Sequence, residues 1–152
     1  MFECDRQDSQ FRHLPFRKAL SNKRLLFHGS RLSNFVGILS QGLRIAPPTA
    51  PKTGYMFGKG IYFADCASKS ANYIHATERH PFGIMIVCEV ALGHIHSVME
   101  DNTDLECAPK GYHSVRGMGK NVPKSGVGHE WQSSEGYQLS LGPLMPNENA
   151  SV

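Results

Sequence analysis

The chain has 152 residues, 40% of them apolar and 19% charged, enough for about one domain with a real hydrophobic core. No apolar run approaches the roughly 20 residues of a membrane helix, and the first residues lack the basic-then-apolar order of a secretory signal, so an intracellular, non-membrane protein is expected. The formal charge of +3 is mild, and the densest basic cluster, Arg17-Lys18 with Lys23-Arg24, reads as a solvated face rather than a nucleic-acid surface.

Four cysteines (Cys4, Cys66, Cys88, Cys107) stand apart without CxxC spacing, which fits a reducing compartment. Of the eight histidines only His94 and His96 form a close pair. No Cys/His quartet has ligand spacing, so no metal is expected.

Residues 1–12 carry little pattern beyond Phe2 and Phe11 and read as a frayed end or the remnant of an element begun upstream. Phe16, Ala19 and Leu20 suggest a short amphipathic turn over 15–20. A strand is predicted over 24–28, delivering His28, Gly29 and Ser30 to its end. Ser30 or Ser33 is placed to cap a helix over 33–41, where Leu32, Phe35, Val36 and Leu39 give an apolar stripe that stops at Gly42.

Residues 43–45 suit a short strand. The segment 46–54, with prolines at 47, 48 and 51, reads as a stiff surface loop because proline donates no backbone hydrogen bond. Residues 54–60 place glycines around Tyr55 and Phe57 and resemble a ligand-lining loop, while the absence of a GxxxxGK[ST] frame rejects a phosphate-cradling P-loop. A short strand is predicted at 61–63 and a helix from Cys66 to about His75, with Asp65 as its N-cap. Lys69, Ser70 and Tyr73 share one face of that helix.

Residues 83–92 are nearly all apolar, which predicts a strand covered on both faces at the centre of a sheet. Beyond Gly93, short strands are expected at 112–115 and 137–141. The tail 143–152 reads as a connection with neither helix nor strand to tie it down.

Read residue by residue, His28, Ser30, Tyr55, Tyr62, Ser70 and Tyr73 gather hydroxyls, an imidazole and aromatic faces on strand ends and loop edges. Such a set suits a neutral planar amide and a ribose. Each has a bland alternative as a half-buried core tyrosine or a structural histidine, and their joint occurrence argues for a site.

The order and wording of these segments resemble the catalytic domain of the poly(ADP-ribose) polymerases, the diphtheria-toxin-like ADP-ribosyltransferases. Leu25-Leu26-Phe27-His28-Gly29-Ser30 is similar to that family's LLWHGS, with Phe for Trp. Gly42-Leu43-Arg44-Ile45-Ala46-Pro47-Pro48, the run from Gly54 to Asp65, and Ser68-Lys69-Ser70-Ala71-Asn72-Tyr73 resemble its GLRIAPP, GYMFGKGIYFAD and SKSANY. Glu89-Val90-Ala91-Leu92-Gly93 and the run from His113 to Lys120 are similar to its EVALG and HSVKGxGK. The match runs in order over 22–142 within a partial catalytic domain taken as 1–152.

The resemblance implies an α+β ADP-ribosyltransferase fold, with two packed antiparallel sheets forming an NAD+ cleft and helices flanking it. It implies that NAD+ is the substrate, with no metal, and that ADP-ribose passes to a protein side chain or a growing poly(ADP-ribose) chain as nicotinamide leaves. By the same resemblance the Gly29 main chain and Ser70 hold the carboxamide, Tyr62 and Tyr73 sandwich the ring, and His28 binds a ribose hydroxyl. Ser30 and Arg44 lie towards the adenosine side, Tyr55 sits in a loop closing over the donor, Phe63 joins the donor-binding set, and Lys69 sits beside the reacting centre. His28, Tyr62 and Lys69 are the implied catalytic positions. A nuclear, DNA-repair setting is implied too, with nucleic acid contacted only through domains absent here.

The family's catalytic glutamate, on a late strand with wording like YNEYIVY, has no counterpart. Glu148 follows Pro146 without apolar alternation and is not assigned that role. The expectation is a chain truncated at both ends. The alternative is a non-catalytic NAD+ or partner-binding module that keeps the donor pocket.

Overall fold

The computed structural model describes residues 20–45, 55–133 and 136–149. The expected loop at 46–54 lies outside them, as does the turn at 15–20 apart from Leu20.

The first strand, β1 (Lys23–Gly29), alternates through Leu25, Phe27 and Gly29 on one face. A 3₁₀ turn at Leu32–Asn34 leads into α1 (Phe35–Gln41), and a one-turn helix, α2 (Ala67–Ala71), follows. β2 (Met85–Ala91) pairs antiparallel with β1 over all seven residues, from Lys23 opposite Ala91 to Gly29 opposite Met85. On its other edge β1 meets Ala64 in an isolated bridge, with Phe27 N–H donating to the Ala64 carbonyl at 2.8 Å and Ala64 N–H donating to the Phe27 carbonyl at 2.9 Å.

β1 is therefore the strand with neighbours on both edges. The sequence expectation that 83–92 forms the sheet's centre is corrected: among the described residues β2 has one partner strand, and Val87 is 39% exposed. An apolar run signals burial but does not say which strand of a pair is flanked.

The remaining strands are short. β3 (Ile95–Val98) pairs in parallel with β4 (Ser114–Gly117). β5 (Asn121–Pro123) precedes β6 (Glu130–Gln132) and β7 (Gln138–Ser140), which pair antiparallel with each other. β8 (Leu144–Pro146) returns antiparallel to β5. The described residues thus form four two-stranded sheets, one of them parallel, where two packed antiparallel sheets were expected. The tail is also corrected, because β8 ties it down and Asn147 adds a side-chain bond to the Gly119 carbonyl at 2.9 Å.

Both helices start later than expected, and α2 also ends earlier. Neither Ser30 nor Ser33 caps α1: Ser33 lies inside the 3₁₀ turn, and Ser30 Oγ accepts from Asn34 Nδ2 at 2.9 Å. Phe35 is buried, whereas Leu32, Val36 (79% exposed) and Leu39 face outward, so the helical stripe is only one residue deep in the core. The expected stop holds, since Gly42 adopts φ 82 and its N–H closes on the Ile38 carbonyl at 2.8 Å.

α2 is shorter than 66–75 because Tyr73 and Ile74 donate to Ser70 and Ala71 three residues back, tightening the turn before His75 takes φ 56. Asp65 does not cap it. That carboxylate lies 3.8 Å from Arg116 in a solvent-exposed pair of small energetic weight. Residues 43–45 and 61–63 are irregular rather than strands.

Phe27, Phe35 and Leu139 are the buried apolar residues among those described, and α2 and β7 pack against β1. At the far end of β1 Lys23 Nζ reaches Glu89 at 3.2 Å and Tyr137 Oη at 3.5 Å, bonds that raise the ammonium pKa, Glu89 foremost. Among the described residues no helix is long and apolar enough to cross a membrane.

Burial pushes the Cys88 thiol from 9.0 up to about 11. The unfolded chain releases this proton first, so the stabilisation is complete below about pH 9 and is lost as pH rises towards about 11. Cys88→Ala is expected to flatten that part of the alkaline loss. Denaturant melts across this range measure it, and an unchanged slope would refute the assignment.

Candidate functional site

The C-terminal end of β1 builds one corner of the site. His28 Nδ1 lies 2.8 Å from the Tyr62 carbonyl. A carbonyl only accepts, so Nδ1 carries the proton in the neutral ring and Nε2 keeps its lone pair. The Phe63 ring stands against this imidazole, centroids 5.7 Å apart and tilted by 59°.

Next along the strand, a Cβ on Gly29 would sit 2.0 Å from the Ser70 carbonyl oxygen and 3.3 Å from Ile74 Cγ1. Glycine is required here by close approach of two backbones rather than by its dihedral angles. Ser70 is 3% exposed, and its hydroxyl donates to the Phe27 carbonyl at 3.0 Å. α2 is thereby pinned to β1 through one oxygen that also accepts from Ala64 N–H.

Tyr62 forms the second corner. Its hydroxyl donates to the Gly58 carbonyl at 2.5 Å and accepts from Phe57 N–H at 3.1 Å. Burial is the main force raising its pKa; the Phe57 N–H opposes that rise, and nearby Tyr55 and Tyr73 add to it. The Tyr55 and Tyr62 rings lie 6.1 Å apart at 38°. Tyr73 is 51% exposed.

His28, Gly29, Tyr62, Phe63 and Ser70 are thus linked by direct contacts, with Tyr55 beside Tyr62. Ser30 is engaged with Asn34, while Arg44, in the irregular stretch after α1, and Lys69, in the middle of α2, are exposed. Glu148 is exposed in the turn after β8. Two clefts, of about 310 Å³ beside Phe27, Cys66 and Leu141 and about 270 Å³ beside Arg24, Arg116 and Glu130, lie off this corner. None of His28, Gly29, Tyr62, Ser70 or Tyr73 lines either. The candidate site is marked by the contacts among its residues. Among the described residues no group of three or more His, Cys, Asp or Glu could hold a metal.

Sequence reasoning missed the support behind this corner. Lys59 N–H donates to the Leu105 carbonyl at 2.8 Å and Asn102 N–H to the Met56 carbonyl at 2.8 Å, so 102–105 backs the 55–60 loop. Buried Gly58 at φ 77 packs on Leu105. The usable signal was that glycine, since a left-handed turn pressed against another backbone tolerates no other residue.

An imidazole bonded to the Tyr62 carbonyl, a glycine abutting a buried serine and a loop that brings Tyr55 beside Tyr62 meet at this corner. A profile of the "Poly(ADP-ribose) polymerase catalytic domain" matches residues 1–151, and the chain belongs to that family. It is 52% identical over 132 residues to "Poly [ADP-ribose] polymerase 1" of Arabidopsis thaliana, covering 87% of this chain and 13% of that protein. To the Xenopus laevis protein of the same name it is 56% identical over 123 residues, 81% and 12% of the two chains. "Poly [ADP-ribose] polymerase 2" of Homo sapiens is 52% identical over 128 residues, 84% and 21% of the two chains. The chain thus spans between about an eighth and a fifth of the length of these relatives.

Two substitutions separate packing from bonding at the corner. Gly29→Ala forces a methyl into the Ser70 backbone and is expected to cost at least about 1–3 kcal/mol of stability. Ser70→Ala removes a single donor while the Phe27 carbonyl keeps Ala64, so about 0.5–1.5 kcal/mol is expected. Equilibrium unfolding measures both, and the reverse order would contradict the account.

Proposed function

We propose that this chain carries the donor site of an NAD+ ADP-ribosyltransferase, which transfers ADP-ribose from NAD+ to a protein side chain or a growing poly(ADP-ribose) chain and releases nicotinamide. The observation that carries the reading is the contact of Gly29 with buried Ser70 beside a histidine whose Nε2 is left as an acceptor. Close packing of Gly29 on the Ser70 main chain suits a planar carboxamide, which needs a donor and an acceptor side by side, and the imidazole lone pair suits a ribose hydroxyl.

In this reading the Gly29 main chain and Ser70 take the carboxamide, Tyr62 and Tyr73 cover the nicotinamide ring, and His28 accepts from a ribose hydroxyl. Phe63 steadies the imidazole, Ser30 and Arg44 meet the adenosine side, and Tyr55 closes over the donor. Lys69 stands near the reacting centre. The two packed sheets implied by the family resemblance, and action as a single catalytic-domain unit, belong to the same proposal. So do a nuclear setting and a role in DNA repair, with neither a membrane nor a nucleic acid as direct partner of this segment.

The chemistry is loss of nicotinamide from the anomeric carbon through a state with positive charge on the ribose. Stacking and amide hydrogen bonds hold the donor in ground and transition states almost alike, so they favour binding more than the chemical step. Rate comes from orienting the ribose through His28 and from negative charge near the anomeric carbon, where one preorganised contact contributes about 3–4 kcal/mol.

The test is calorimetry with nicotinamide and with NAD+. Ser70→Ala is expected to weaken nicotinamide by about 1–3 kcal/mol, because a buried amide loses its partner. His28→Ala is expected to weaken NAD+ much more than nicotinamide. Unchanged affinity in Ser70→Ala, or equal losses for both ligands in His28→Ala, would overturn the residue roles. Transfer from labelled NAD+ to an acceptor protein, with Glu148→Gln alongside, tests the activity itself, and binding without transfer would favour the non-catalytic module.

A further inference from the structure

We propose that the Tyr62 hydroxyl is a latch, a positioning group that ties the 55–60 loop to the nicotinamide end of the site and does not itself bind the donor. The coupling part of this inference rests on the NAD+ reading above.

A phenol has one hydrogen to donate and two lone pairs. In Tyr62 the hydrogen goes to the Gly58 carbonyl and one lone pair to Phe57 N–H, both in the main chain of the loop. The group has no hydrogen left for a ligand. Among the described residues, Tyr62 is the one side chain that hydrogen-bonds the 55–60 main chain. A phenol is protonated at neutral pH, and burial pushes the Tyr62 hydroxyl further in that direction.

The opposite side of the loop is already held, by Leu105 on Lys59 and by Asn102 on Met56. Gly58, at φ 77, is thereby gripped between Leu105 and Tyr62. Removing the hydroxyl leaves the loop anchored on one side, with a carbonyl and an N–H released together. The Tyr62 ring remains where it was, and what changes is the position of Tyr55, which the loop carries 6.1 Å from that ring. A ligand that uses only the ring feels little of this, whereas one that also runs under the loop feels all of it.

Tyr62→Phe isolates the hydroxyl because the ring is kept. Hydrogen exchange at the Phe57 amide, thermal melting, and affinities for nicotinamide and NAD+ are measured on the same protein. The expected result is faster Phe57 exchange, nicotinamide affinity reduced less than about twofold, and NAD+ affinity reduced on the order of tenfold, the size of one or two lost hydrogen bonds. Unchanged Phe57 exchange in the folded variant overturns the latch, and equal losses for both ligands overturn the claim that the hydroxyl stays off the donor. If the wild-type protein binds neither probe, the donor-site reading and the coupling fall together, while Phe57 exchange still decides the latch.

Discussion

The carbonyl of Phe27 accepts two hydrogen bonds, one from Ala64 N–H and one from the Ser70 hydroxyl, and the geometry of the site follows from that single oxygen. The first bond brings the irregular 61–64 segment alongside β1, which puts the Tyr62 carbonyl within reach of His28. The second draws α2 onto the strand until Gly29 touches the Ser70 backbone. A buried acceptor with both lone pairs used is a firm joint, since releasing either donor strands polar atoms away from water.

This joint explains why so little regular structure holds the corner. α2 is only five residues long and the 61–63 stretch is not a strand. Isolated helices of that length are unstable in water, so tertiary bonds must supply what propensity does not. The cost falls on sequence freedom, because glycine at 29 and a small hydroxyl at 70 leave no room for alternatives.

Much of this was legible in the residues. β1, β2 and α1 were visible as apolar runs and periodic stripes, and the residues that meet at the corner, His28, Gly29, Tyr62, Phe63 and Ser70, came through motif order. The failures share a physical cause. Periodicity reports which residues avoid water but not what they pair with, so β2 was assigned the centre that β1 occupies. A helical stripe was read at Leu32, Phe35, Val36 and Leu39, although only Phe35 is buried. Asp65 has the chemistry of a cap and instead faces Arg116, more than fifty residues away in sequence. β3, β5, β6 and β8 are three or four residues long, too short to show an alternation that would distinguish strand from loop.

The parallel pairing of β3 with β4 bears on what supports the 55–60 loop. Parallel neighbours require a crossover rather than a hairpin, and residues 99–113 are that crossover. The same stretch contributes Asn102 and Leu105 to the 55–60 loop. Closing a long segment costs chain entropy before its contacts are gained. The backing of residues 55–60 therefore comes from a connection whose two ends the β3–β4 pairing holds, which ties this loop to a part of the chain remote from His28 and Ser70.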